Sequence, residues 1–76
     1  MNQTFIFNDD IEFDSKHDAW RFTALLSGQR ITIYFHSIQL KQLDKIDSCT
    51  KYDLEEFAEL WLEKNEPEYD FIHMYP

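Results

Sequence analysis

Two segments that flank Ser27-Gly28 restrict the fold of this chain more than any other feature, because they match each other as the strands of a β-hairpin. Residues 19–26 and 29–36 are rich in aromatic and β-branched side chains, and Gly28 tolerates the positive φ of a two-residue turn. Counting outward from the turn pairs Leu26 with Gln29 and sorts the side chains onto two faces, since side chains alternate along a strand. The apolar face pairs Ala24 with Ile31, Phe22 with Ile33 and Trp20 with Phe35, and the other face pairs Thr23 with Thr32 and Arg21 with Tyr34.

The segments on either side of the hairpin also have the patterns of regular structure. Residues 4–7 predict a short strand, and an acidic, turn-rich stretch over 8–15 follows, anchored to the core by Ile11 and Phe13. After the hairpin, Ser37 predicts the N-cap of a short helix. That helix carries Ile38, Leu40 and Leu43.

A second helix is predicted after a polar connection over 44–51. Asp53 and Glu56 form an acidic version of the capping box, and the helix must end before Pro67. Five apolar side chains fall in one arc of about 140°, and Leu60 lies outside this arc, at its polar margin. They are Leu54, Phe57, Ala58, Trp61 and Leu62.

Residues 68–75 alternate in the manner of a last strand. Tyr69, Phe71, His73 and Tyr75 lie on one side of it, and Ile72 and Met74 on the other. Together these elements predict a single α+β domain over 1–76, in which a small antiparallel sheet of the hairpin plus one or two further strands packs against two helices. The expected junction consists of Trp20, Phe22, Ile33, Phe35, Leu54, Phe57 and Trp61.

Charge narrows the range of functions. Fifteen acidic and seven basic residues give a net charge of −8, so we expect neither direct nucleic-acid binding nor attraction to an anionic membrane. The first residues carry no basic flank or long apolar run, so we expect no signal peptide. A single cysteine cannot form an internal disulfide, which favours the cytoplasm over a disulfide-stapled secreted fold.

Short motifs along the chain resemble the YrdB-like family of small bacterial proteins, a domain of unknown function. The resemblance rests on Met1-Asn2-Gln3 with Phe7 and Asp9, Phe13-Asp14, Phe22 with Ala24 and Gly28, Asp53-Leu54-Glu55-Glu56, and Ala58-Glu59. It implies a compact α+β fold in a bacterial protein and supplies neither an activity nor catalytic residues.

No spacing in the sequence predicts a catalytic or metal centre. His17, His36 and His73 lack the intervals of a zinc motif, and are interpreted as surface or strand-face histidines, although convergence on a metal is the alternative. Cys49 has no evident base or oxyanion site and is interpreted as an ordinary thiol. We therefore expect no catalytic residue, cofactor or metal, and a small hydrolytic or metal-dependent enzyme is the weakest of three hypotheses.

The other two hypotheses rest on carboxylates near the C-terminal end, here called the acidic face. The acidic face consists of Glu55, Glu56, Glu59, Glu63, Glu66, Glu68 and Asp70. Such a set is often only a solvated helix surface, but it lacks the Lys or Arg at i+4 that commonly accompanies Glu on exposed helices, and only Lys51 and Lys64 lie near it. The favoured hypothesis is a non-enzymatic module that binds a basic protein, and the alternative is a phage-type nucleic-acid mimic that inhibits a basic nucleic-acid-binding or defence complex of the anti-CRISPR or anti-restriction type.

Overall fold

A computed structural model describes residues 5–76 as an α+β domain of five strands and two helices. The strands are β1 (Phe5–Phe7), β2 (Glu12–Asp14), β3 (Ala19–Leu26), β4 (Gln29–Phe35) and β5 (Phe71–Met74), and the helices are α1 (Ile38–Lys41) and α2 (Ser48–Lys64). The predicted fold class is confirmed. Thr4 of the predicted first strand, and the Met1-Asn2-Gln3 motif, lie outside the described residues.

The central hairpin β3–β4 has the predicted register, from Trp20 opposite Phe35 to Leu26 opposite Gln29. Ser27 and Gly28 both have positive φ, 52° and 85°, which is the backbone of the tight turn that matches the twist of the flanking strands. Because the register decides which side chains share a face, the apolar face of the hairpin is buried as expected.

The sheet is larger than predicted, and it is mixed. β1 and β2 share one edge of β3, where β1 pairs with its end and β2 with its beginning. β5 pairs with β4 in parallel, whereas the sequence predicted an antiparallel sheet throughout. The reason is α2, which at about 25 Å spans the sheet and returns the chain to the end where β4 begins.

Both helices contribute to one core on the apolar side of the sheet. Leu40 of α1 and Leu54, Ala58 and Leu62 of α2 join the buried side chains of the strands in one cluster. The Trp20 ring packs in this core, and its Nε1 donates a hydrogen bond of 2.7 Å to the backbone oxygen of Leu40. Ile38 and Leu43, which were predicted to lie on this helix together with Leu40, are exposed, and Leu43 lies beyond the end of α1.

α2 begins earlier than the capping-box pattern predicted. Its N-cap is Asp47, whose side chain accepts a 2.8 Å hydrogen bond from the backbone N–H of Thr50. The hydrogen bonds from the Thr50 backbone and side chain hold the pKa of Asp47 below its ordinary value. Residues 48–51 contain no proline or glycine to interrupt a helix, so the polar connection is shorter than expected and Cys49 lies in the first turn of α2.

Between β1 and β2, the side chains of Asn8 and Asp10 form hydrogen bonds to Thr23 of β3. The Asp10 carboxylate accepts hydrogen bonds from the backbone N–H and the hydroxyl of Thr23, at 2.9 and 2.6 Å, and the Asn8 amide donates to the same hydroxyl. Thr23 is thereby satisfied although it is buried in the middle of β3. Partial burial acts to raise the pKa of Asp10, but the two hydrogen bonds from Thr23 outweigh it and the pKa is lowered.

Candidate functional site

The outer side of α2 carries three of the seven carboxylates of the acidic face. Leu54, Ala58 and Leu62 are buried against the sheet, and because residues three and four apart share a helix face, Glu56, Glu59 and Glu63 point away from it. Glu66, Glu68 and Asp70 follow in the connection to β5 and are also exposed. The helix therefore holds the carboxylates of Glu56, Glu59 and Glu63 at fixed spacing on its solvent-exposed side.

Glu55 differs from the other members of the acidic face. Its carboxylate accepts from the ammonium group of Lys51 at 2.9 Å, and the same ammonium group lies 3.2 Å from Asp9. The hydrogen bond to Glu55, with a further contribution from Asp9, raises the pKa of Lys51. The expectation that the helix lacked a compensating lysine is therefore wrong at this position.

The remaining six carboxylates of the acidic face differ from Glu55 in their ion pairing. Within residues 5–76, none of them forms an ion pair with a lysine, arginine or histidine side chain. The cations that do form ion pairs are used by acids outside this set or by Glu55, as in the contact of Arg21 with Glu12. The members without an ion pair are Glu56, Glu59, Glu63, Glu66, Glu68 and Asp70.

Two apolar side chains stand among these carboxylates on α2. Leu60 is 52% exposed, as its place outside the apolar arc predicted, and Phe57 is 37% exposed although it was expected in the core. Phe57 and Leu60 are three residues apart and therefore neighbours, and Glu56 and Glu63 adjoin Leu60 in the same way. The buried stripe of α2 is narrower than the arc predicted, because Leu54, Ala58 and Leu62 alone cover the sheet and Trp61 is only partly buried beside them.

The three histidines lie together on the side of the sheet that faces away from the helices. His36 Nε2 and His73 Nδ1 are 2.7 Å apart and share one hydrogen bond, and the His17 ring lies 5.8 Å from that of His73. His17 Nδ1 contacts Asp14 Oδ2 at 3.0 Å, and this hydrogen bond is the main cause that lowers the pKa of Asp14. Part of this cluster could have been predicted from the sequence, since the alternation of residues 68–75 places His73 on the same side of its strand as Tyr75.

Aromatic rings complete this histidine cluster. Tyr34 stacks on His73 and His36 stacks on Tyr75, each pair with ring centroids 4.9 Å apart across β4 and β5. Desolvation, followed by the charges of His36 and His17, lowers the pKa of His73. The cluster is thus a set of packed aromatic and imidazole rings on the open side of the sheet.

The chemistry that these groups can perform is limited. In the part of the chain that the structure describes, no group of three or more His, Cys, Asp or Glu side chains is arranged to hold a metal ion. A shallow pocket of about 260 Å³ lies between His17, His36 and α1, and the ion pair of Lys41 with Asp18 lies in its wall. Cys49 is exposed at the start of α2.

No helix in residues 5–76 combines the length and the apolar character needed to cross a bilayer. Comparison with models of known protein families, with curated proteins and with solved structures finds no match to this chain. The resemblance to the YrdB-like family therefore stays a prediction.

Proposed function

We propose that this protein is a non-enzymatic binding module that holds a basic partner protein against the outer side of α2. The observation that carries the proposal is the combination, on one helix, of an exposed apolar pair and exposed carboxylates that form no ion pair with any residue in the described range 5–76. Phe57 and Leu60 supply apolar area for the centre of an interface, and Glu56, Glu59 and Glu63 supply a charged rim.

Each part of this surface has a separate role in binding. Unpaired carboxylates on a helix repel one another by a few tenths of a kcal/mol per pair, a cost that cationic groups of a partner would relieve. Long-range attraction from such a rim accelerates association, whereas burial of the apolar pair slows dissociation. A solvated surface without a partner explains the carboxylates, but it gives no account of the two apolar side chains among them.

The test combines affinity capture from a bacterial lysate with two variants of equal charge. Replacing Glu56, Glu59 and Glu63 by Gln should abolish most of the capture of basic proteins and flatten its salt dependence. A control that changes Asp9→Asn, Glu12→Gln and Asp44→Asn removes three charges elsewhere, together with the ion pairs of Asp9 with Lys51 and of Glu12 with Arg21, and should leave capture largely intact. Equal losses in the two variants would show that only net charge matters, and would overturn the proposal.

The nucleic-acid mimic is the narrower form of the same proposal. Glu59 and Glu63 lie on successive turns of α2, about 5–6 Å apart, which approximates the spacing of phosphates along a strand. In that case the captured partner is a basic nucleic-acid-binding protein, and duplex DNA competes with this chain for it. A captured partner that binds no nucleic acid would eliminate this alternative and leave the general one.

A further inference from the structure

Within residues 5–76, the outer edge of β5 has backbone hydrogen-bonding groups that pair with no other strand. The backbone N–H groups of Thr32 and His36 donate to the carbonyl oxygens of Asp70 and Met74, so the even-numbered residues of this strand direct their backbone toward β4. Because backbone groups alternate in direction along a strand, Phe71 and His73, with Tyr75 beyond them, direct both N–H and C=O away from β4. Among the described strands, β4 alone pairs with β5.

The side chains at this edge are aromatic and do not guard it with charge. Phe71 and Tyr75 are 44% and 72% exposed, and β5 itself contains no lysine, arginine or acid. Natural sheets commonly protect an edge strand with lysine, proline or a covering element. The opposite edge illustrates this protection, because β1 and β2 are three residues long and are separated by the Asp10 bridge to Thr23.

The acidic residues near the outer edge of β5 favour a positively charged segment as its binding partner. Residues 65–76 contain Glu66, Glu68 and Asp70 and no lysine or arginine. The cross-strand stacks of Tyr34 on His73 and of His36 on Tyr75 leave the outer sides of the β5 rings toward the free edge. A strand added about 4.8 Å away would place its own side chains against those rings, and a planar guanidinium is suited to such stacking.

We propose that the free edge of β5 binds an extended segment of a partner protein as an additional strand, with arginine or lysine at alternating positions. The main-chain hydrogen bonds supply affinity, and the aromatic and acidic side chains supply the preference for cations. A second copy of this chain is disfavoured as the occupant, since each copy has a net charge of −8 and offers no cation in this segment. The proposal concerns a surface separate from the outer side of α2.

The direct test is amide hydrogen exchange in the full chain with an eight-residue peptide that alternates arginine and threonine. Saturating peptide should slow the exchange of the Phe71, His73 and Tyr75 amides by about tenfold or more, since each becomes a strand hydrogen bond. A peptide with glutamate in place of arginine should give no protection. Unchanged exchange with the arginine peptide at saturation would overturn the proposal, as would protection that appears without peptide and rises with protein concentration, which identifies a second copy as the occupant.

Two matched controls separate backbone pairing from side-chain docking. Tyr75→Pro removes an outward N–H that has no internal partner on β4, whereas Tyr75→Ala removes the same ring and keeps the N–H. We expect peptide affinity to fall about tenfold further in Tyr75→Pro than in Tyr75→Ala. Equal affinities in the two variants, or equal binding of a peptide methylated at alternate backbone nitrogens, would contradict strand addition.

The α2 surface provides the remaining control. The variant with Gln at positions 56, 59 and 63 should bind the arginine peptide with unchanged affinity, because those side chains belong to a different element. Loss of peptide binding in this variant would show that the peptide occupies α2 and would overturn the β5 assignment. Loss of lysate capture with retained peptide binding is the result expected if both proposals hold, whereas retained capture with retained peptide binding would overturn only the proposed function of α2.

Discussion

The two faces of the hairpin β3–β4 are built from alternate residues of the same strands and have different physical roles. On the helix-covered face, Phe22 and Phe35 are fully buried and meet edge to face with ring centroids 5.1 Å apart. On the open face, Arg21 forms an ion pair with Glu12, and Tyr34 stacks with His73. The apolar face therefore supplies most of the folding energy, whereas the open face holds the polar and titratable groups.

The largest difference between the faces should appear when Phe22 is truncated. Phe22→Ala removes a fully buried ring and should destabilise the fold by about 3–5 kcal/mol, which approaches the entire stability of a small domain. Thermal or urea unfolding measures this loss. Phe57→Ala is the matched control, since that ring is 37% exposed and its removal should cost much less. Native-like cooperative melting of Phe22→Ala would contradict the assignment of the core.

A smaller loss is expected at the hydrogen-bonded position between β1 and β2. Asp10→Asn replaces a carboxylate that accepts two hydrogen bonds from Thr23, so we expect destabilisation of about 1–3 kcal/mol. Asp44→Asn serves as the control for charge alone, because this exposed carboxylate forms no ion pair within residues 5–76. Equal unfolding free energies for the two variants would show that the stability of the fold does not depend on the hydrogen bonds between Asp10 and Thr23.

The histidine cluster should make stability depend on pH, with the sign set by His73. Its pKa in the folded protein is lowered from 6.5, so the unfolded chain binds a proton more readily and stability falls as pH decreases through about 6.5. A second loss is expected below about pH 4, because the pKa values of Asp10, Asp14 and Asp47 are also lowered in the fold. Unfolding curves of the wild type and of His73→Gln measure this dependence, and the variant should retain only the loss at lower pH.

The smallest expected effect is that of metal. Neither a chelator nor stoichiometric zinc should change the melting temperature. Among the described residues, His36, His73 and the nearby His17 are not arranged as a set of metal ligands. The experiment is sensitive, because a ligand at a hundred times its Kd stabilises by about 2.7 kcal/mol. A zinc-dependent rise in melting temperature that disappears in His36→Gln would assign His36 and His73 a metal-binding role. The open face would then also contribute to stability, as the apolar face does.

Local patterns were sufficient for the hairpin, but not for the boundaries of α2 or for the strand count. The hairpin register follows from one turn and a period of two, and both are visible in 18 consecutive residues, 19–36. In contrast, Asp47 and Asp53 each precede a suitable helix, and the sequence does not show which one forms the N-cap. β2 was missed because its three residues form a strand only through pairing with β3.

The candidate sites divide in the same way. Exposure of Glu56, Glu59 and Glu63 could be predicted from helical periodicity, whereas the ion pair that occupies Glu55 depends on Lys51 lying in the first turns of an earlier-starting helix. The exposure of Phe57 could not be predicted, since it depends on how narrowly α2 contacts the sheet.

The amino-acid order by itself determined the hairpin, the alternation of β5 and the amphipathic character of α2, because each depends on neighbours within a few residues. Tertiary structure alone decided that β5 runs parallel to β4, that three histidines from distant positions meet, and that β4 alone among the described strands pairs with β5. These features depend on which end of the sheet the chain reaches after α2, and that outcome is set by the packing of the whole core rather than by any local segment.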